Sequence, residues 1–134
     1  MRPRILAGTA AAATLVTALA GLTLTPSAQA AQARLAATFA QTSTWSTGYG
    51  ADYTIANSGD AASTSWRVEF GLPAGSTVTS SWNSTRTQSG QHYTFVNAAF
   101  NGTINPGASK SFGFNVSGLG VPSGCRINGT SCGG

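Results

Sequence analysis

The sequence predicts an all-β chain: an antiparallel β-sandwich, immunoglobulin-like or jelly-roll-like in architecture. Beyond Ala33, apolar residues alternate with period two through most of the chain. Turn signals rich in Gly, Pro, Asn and Asp recur at roughly eight- to twelve-residue intervals, the spacing of a sandwich. No segment in that region carries the period of a long helix.

The N-terminal segment stands apart. Arg2 and Arg4 precede an apolar stretch from Ile5 to Leu24, and Ala28-Gln29-Ala30 follows. A basic start, an apolar centre and small residues at −3 and −1 read as a secretory signal over residues 1–30. Ala31-Gln32-Ala33 offers a second cleavage site three residues on. Pro3 separates the two arginines, so there is no twin-arginine signal. Residues 31–134 are then one domain, with an ordered core over about 34–132, in a secreted, extracellular protein.

Within that domain Arg34 to Thr42 is the first expected strand. Tyr49 to Asn57 is the second, with Ala51, Tyr53 and Ile55 on one face and Asp52 and Thr54 on the other. Asn57-Ser58-Gly59-Asp60 is a turn. Thr64 to Leu72 has the clearest alternation: Trp66, Val68, Phe70 and Leu72 point one way, Arg67 and Glu69 the other. Pro73-Ala74-Gly75 ends it. Strands follow at Thr77 to Trp82, Ser84 to Gln88 and Gln91 to Asn97. Asn105-Pro106-Gly107 is a further turn. Lys110 to Val116 places Phe112, Phe114 and Val116 inward, and Gly113 and Asn115 outward. Gly118 to Gly124 reads as loop. Cys125 and Cys132 fit a disulfide in an exported protein, and Asn128-Gly129 between them is a tight-turn signal that brings them together in a hairpin.

Charge excludes some partners. The formal net charge is +4, and losing Arg2 and Arg4 lowers it to +2. Arg34, Arg67, Arg86, Lys110 and Arg126 are scattered, so no nucleic-acid footprint is visible. No membrane contact is expected once the signal is removed.

The chain has three tryptophans. Trp66 lies in an alternating apolar run and reads as core. Trp45 has polar Ser43 and Thr47 at i±2 and reads as exposed. Trp82 is open on pattern alone: alternation puts it on the side of Val78, whereas a bulge between them would turn it outward. Phe100 is open too, apolar in type but beside Asn101-Gly102. Exposed flat rings on a weakly charged surface suit flat, weakly charged ligands such as polysaccharide chains. Sugar rings present a face of C–H bonds, and each stacked ring contributes about 1–3 kcal/mol by analogy with bases on aromatics.

Several short motifs occur in order: Trp45 to Gly50, Gly71-Leu72-Pro73-Ala74-Gly75, Trp82-Asn83-Ser84, Ser89-Gly90, Phe100-Asn101-Gly102, Asn105-Pro106-Gly107 and Phe112-Gly113-Phe114-Asn115. In this the chain resembles the family 2 carbohydrate-binding modules of bacteria, over Arg34 to Cys132. Its cysteine-bearing end is most similar to modules attached to actinomycete chitinases. The resemblance implies about nine strands and a flat aromatic strip at Trp45, Trp82 and Phe100, with polar neighbours Asp52 and Asn115. It also implies an insoluble β-1,4-glycan as partner, chitin or cellulose, bound by a monomer that targets an attached or partner hydrolase. The chain departs from the family pattern in places. Phe100 stands where Trp is usual, and Asp52 where Asn is common. Val116 replaces the usual glycine after Asn115. Leu35 occupies the place of an early cysteine, which leaves both cysteines at the C-terminal end.

Catalysis is not expected. A glycosidase needs two carboxylates flanking the cleaved bond, and Asp52, Asp60 and Glu69 lie on separate segments. His92 is the one histidine, too few for a copper oxygenase, and no zinc or calcium ligand cluster is apparent. Neither metal nor cofactor is expected. An alternative reading is a secreted inhibitor or adhesion domain that presents Arg126 on the Cys125–Cys132 loop.

Overall fold

The computed structural model describes residues 30–133, so the expected export signal, up to Gln29, lies outside the described residues. Nine strands are present among them: β1 (Leu35–Trp45), β2 (Gly48–Asn57), β3 (Arg67–Gly71), β4 (Thr77–Trp82), β5 (Ser84–Ser89), β6 (His92–Asn97), β7 (Ser109–Ser117), β8 (Ser123–Ile127) and β9 (Thr130–Ser131). They form two sheets, ordered β1-β2-β7-β4 and β5-β6-β3-β8-β9. Every pairing is antiparallel. The all-β sandwich expected from the sequence is the fold.

The sheets close on an aromatic core. Tyr53, Phe112 and Phe114 from one sheet meet Phe70 and Phe95 from the other, with Phe95 and Phe112 centroids 4.8 Å apart and Phe70 and Phe114 5.4 Å apart. Offset ring pairs of this kind add roughly 0.5–1.5 kcal/mol each beyond the area they bury. Trp66 stacks on Phe112 at 5.2 Å and is 1% exposed. It precedes β3 rather than lying within it. Its place is set by bonds of two kinds: its carbonyl accepts from Asn97 N–H at 3.1 Å, its backbone N–H donates to Asn97 Oδ1 at 2.9 Å, and its indole Nε1–H donates to the Asn101 carbonyl at 2.9 Å.

Other boundaries moved for local reasons. β1 continues past Thr42 to Trp45 because the chain turns back at once into β2, with Trp45 opposite Gly48. β8 begins at Ser123, so the expected loop is shorter. Asn128 (φ 49°) and Gly129 (φ 86°) form the tight turn between β8 and β9, and Cys125 and Cys132 are disulfide-bonded across it, with Cα atoms 5.5 Å apart. The hairpin is also attached to β1: Ala37 N–H donates to the Cys132 carbonyl at 3.0 Å, and Leu35 packs on the same core as Cys125 and Cys132. Apolar contact and a hydrogen bond thus join the two ends of the domain without a covalent clamp.

Ahead of β1, Gln32 pairs with the turn that follows β2. Its N–H donates to Asp60 Oδ1 at 2.8 Å, and its carbonyl accepts from the N–H groups of Asp60 at 2.9 Å and Ala61 at 3.2 Å. A chain starting at Arg34 should therefore be less stable than one starting at Ala31 by about 1–2 kcal/mol, the net value of a few partly exposed hydrogen bonds. Urea denaturation of the two forms reads this directly, and equal midpoints would contradict it.

Two tyrosines couple stability to pH. Burial raises the Tyr49 phenol above its ordinary 10.0. Burial, and then the neighbouring Tyr49, raises Tyr53 further. A raised folded-state value favours the protonated form, so this contribution is fully present below pH 10 and is lost as pH rises above it. Stability should fall steeply above about pH 10, and Tyr53→Phe should flatten that limb in pH-dependent thermal melts.

Candidate functional site

The outer face of the four-stranded sheet carries most of the residues singled out from the sequence. Register across β1, β2, β7 and β4 defines three outward rows. The first is Trp45, Gly48, Ser117 and Thr77; the second Ser43, Gly50, Asn115 and Ser80; the third Ala40, Asp52, Gly113 and Trp82. Trp45 and Trp82 stand on opposite edge strands, two rows apart. Three strand spacings and four residues of rise place their Cα atoms about 20 Å apart along a diagonal of the face.

Neither tryptophan would face outward by simple alternation. Along β1, Ala37, Phe39 and Gln41 oppose Ile55, Tyr53 and Ala51, all core-facing positions of β2. Trp45 shares their parity. The register shifts between Gln41 and Ser43, leaving Thr42 as an extra residue, and everything beyond it changes face. In β4 the shift falls between Val78 and Ser80, leaving Thr79 extra, so Trp82 turns away from the side that Val78 buries. The second bulge is held from below by the other sheet: Val78 N–H donates to the Tyr93 hydroxyl at 3.2 Å. Trp45 is 46% exposed and Trp82 43%.

Glycines form the floor beneath these rings. A Cβ on Gly113 would run into Cε2, Cζ2 and Nε1 of Trp82, so the indole lies against the sheet over that residue. A Cβ on Gly48 would meet the Val116 carbonyl and approach Trp45 Nε1 to 3.1 Å. Between the rings, Asn115 Nδ2 donates to Ser80 Oγ at 3.0 Å. Asp52 is half-buried in the row of Trp82, next to Gly113.

Phe100 lies off the sheet, in the connection between β6 and β7, and is 72% exposed. Its loop is fixed on both sides. Asn101 Nδ2 donates to the Asn83 carbonyl at 2.8 Å, which ties the loop to the residue after Trp82, and the Asn101 carbonyl accepts from Trp66. Asn83 itself has φ 62° and turns the chain from one sheet to the other. The loop that carries Phe100 is therefore anchored beside the Trp82 end of the four-stranded sheet.

The remaining ionisable groups are dispersed. Glu69 contacts Arg67 Nε at 3.1 Å and His92 Nε2 at 3.0 Å on the outer side of the five-stranded sheet. Asp52 faces out from the other sheet, and Asp60 sits in a turn beside Gln32. No two carboxylates among the described residues share a site. Among the described residues no cluster of His, Cys, Asp or Glu is placed to hold a metal. Arg126 is not at the tip of the disulfide loop: it lies within β8, opposite Glu69 and Ser131, and its Nη1 donates to the Gly129 carbonyl at 3.1 Å. That geometry does not present it as a protruding bait residue.

A profile of the cellulose binding domain family matches residues 35–132, nearly the whole described sandwich. The chain belongs to this family. It is a family of binding modules rather than catalytic domains. The chain is 51% identical over 125 residues to Chitinase C of Streptomyces lividans, covering 93% of this chain but 20% of that protein. It therefore spans about a fifth of the length of that relative. It is 46% identical over 118 residues to a cellulose/chitin binding protein of Mycobacterium tuberculosis, covering 86% of this chain and 82% of the other. Among solved structures, the chitin-binding domain of Chi18aC from Streptomyces coelicolor aligns with a TM-score of 0.65 at 53% identity, over 75% of this chain and 95% of that one.

Two features of this cellulose-binding-domain face were not read from the sequence: the bulge at Thr42 and the glycine floor. Gly113 within a strand of large apolar residues was the available signal, since an interior strand glycine marks a close approach. Gly113→Ala should lift the Trp82 indole off the sheet. In a Trp45→Phe background, acrylamide should then quench the emission of Trp82 more strongly while Trp66 stays protected. Unchanged quenching would mean the glycine is not what seats the ring.

Proposed function

We propose that this chain is a secreted, non-catalytic module that adsorbs as a monomer to insoluble β-1,4-glycan through Trp45, Trp82 and Phe100. Asp52 and Asn115 supply polar contacts between and beside the rings. The observation that carries this reading is the pair of bulges. Two separate one-residue insertions turn two large indoles onto one sheet face, at a cost in ladder pairing that a purely structural surface has no reason to bear.

A flat face with rings about 20 Å apart matches an extended polymer better than a small sugar, which a concave pocket would enclose. Several weak stacking contacts along one chain combine into useful retention. Chitin is preferred over cellulose as the polymer, because the structurally similar Streptomyces coelicolor domain is a chitin-binding domain at 53% identity. The physiological role is to hold an attached or partner glycoside hydrolase at its solid substrate. The scattered cations give no reason to invoke nucleic acid, and no membrane contact is assigned after export. Residues 1–30 act as the export signal, and a cut after Ala30 keeps Gln32 and its hydrogen bonds in the folded domain.

The test is adsorption of the chain to chitin, cellulose and xylan particles. Each of Trp45→Ala and Trp82→Ala should weaken binding to the preferred polymer by about 1–3 kcal/mol, roughly 5- to 150-fold. Phe100→Ala should cost less, and Arg126→Ala nothing. Absence of adsorption to every polymer, or full retention by both tryptophan variants, would overturn the proposal.

A further inference from the structure

Two exposed aliphatic side chains lie at the Trp45 end of the molecule and play no part in the core. Leu119 is 68% exposed and Val121 49%. They belong to the connection Gly118-Leu119-Gly120-Val121-Pro122, between β7 and β8. This connection is firmly held. Gly118 N–H donates to the Thr47 carbonyl at 2.7 Å, two residues past Trp45. The Tyr49 hydroxyl donates to the Gly120 carbonyl at 2.7 Å, and Gly120 N–H donates to Ser76 Oγ at 2.8 Å.

The glycines face inward and leave the aliphatic residues facing out. A Cβ on Gly120 would collide with the Pro73 ring, and one on Gly118 (φ 105°) would press on Ser76 and the Gly75 carbonyl. Leu119 and Val121, on the alternate positions, are directed away from the body. Ser117, just before the loop, is in the same outward row as Trp45. The aliphatic pair thus stands exposed just past the end of the row that carries Trp45.

We propose that Leu119 and Val121 select acetylated glycan, by covering the acetamido methyl groups of a chitin chain that lies across Trp45. The inference rests on the glycan-binding reading above and adds its basis for choice. Cellulose and chitin share a flat β-1,4 backbone whose C–H faces stack on indoles alike. They differ at C2, where chitin carries an acetamido group and cellulose a hydroxyl. A methyl group against Leu or Val removes apolar surface from water on both sides. A hydroxyl in the same place loses water and gains no partner. The loop therefore rewards the acetylated polymer and penalises the plain glucan, which the rings alone do not do.

The test is a set of adsorption isotherms on chitin and on cellulose for the full chain and for Leu119→Ser/Val121→Ser. At about one buried methyl group per side chain, the double variant should bind chitin about four- to fifteenfold more weakly. Its binding to cellulose should be unchanged or stronger, so that the chitin-to-cellulose ratio falls. Val121→Thr preserves shape and backbone and should move the ratio the same way by a smaller factor, even if the double variant folds poorly. An unchanged ratio in both variants, or equal losses on both polymers, would overturn this inference and leave the binding module intact. Failure of the unaltered chain to adsorb to either polymer would overturn the underlying reading as well.

Discussion

Side chains on a strand alternate between faces, and the whole surface depends on how this chain breaks that rule. An unbroken β1 would send Trp45 to the side of Ala37 and Phe39, into a core already filled by Tyr49, Tyr53 and Phe114. An unbroken β4 would send Trp82 to the side of Val78. One extra residue in each strand, Thr42 and Thr79, reverses the face for everything beyond it. Both bulges sit on edge strands, where the lost pairing is smallest and where an irregularity also discourages edge-to-edge association. The central strands β2 and β7 stay regular and carry small or short side chains outward: Gly48, Gly50, Gly113 and Ser117. Irregular edges and a flat centre together make the face.

The interior takes part in holding that face. Tyr93 belongs to the opposite sheet, yet its hydroxyl accepts the N–H of Val78 beside the β4 bulge. Trp66 fills the core and donates its indole N–H to Asn101, one residue from Phe100. Tyr49 reaches from β2 to the Gly120 carbonyl under the Leu119 loop. A buried polar tip needs a partner, and in each case that partner is a backbone atom of a segment bearing an exposed apolar residue. Core packing and surface geometry are therefore coupled, and a core change that shifts one of these aromatics moves an exposed residue with it.

Much of this could be read before the structure. Period-two runs gave the sandwich, the inward set Trp66, Val68, Phe70, Phe112, Phe114 and Val116, and the outward position of Asn115. Asn128-Gly129 placed the disulfide hairpin. Polar neighbours at i±2 marked Trp45 as exposed, though not the bulge that makes it so. A bulge leaves no composition of its own, since Thr42 and Thr79 look like any strand threonine. Trp82 and Phe100 stayed open on pattern alone for that reason, and it was the family resemblance that put them on the strip: their orientation follows from register and from the bonds of Asn101, both long-range properties. The misplacement of Arg126 had a related cause. Proximity to a cysteine suggested a loop, whereas pairing with Glu69 and Ser131 puts the residue in a sheet.

Rigidity decides how much each ring can contribute to adsorption in the proposed reading. Fixing a free side chain on binding costs about 0.5–1.5 kcal/mol, a large part of the roughly 1–3 kcal/mol that stacking supplies. Trp82 meets that cost during folding, because Gly113 seats the indole and the bulge sets its direction. Phe100 is the most exposed of the three, and the bonds that fix its loop are made by Asn101 rather than by the ring. It also offers a smaller face than an indole. The strip is therefore unequal by construction. Its two edge-strand tryptophans are ordered in advance, while Phe100 gives up part of its stacking gain to immobilisation. A polymer should accordingly register first on the diagonal from Trp45 to Trp82 and engage Phe100 last.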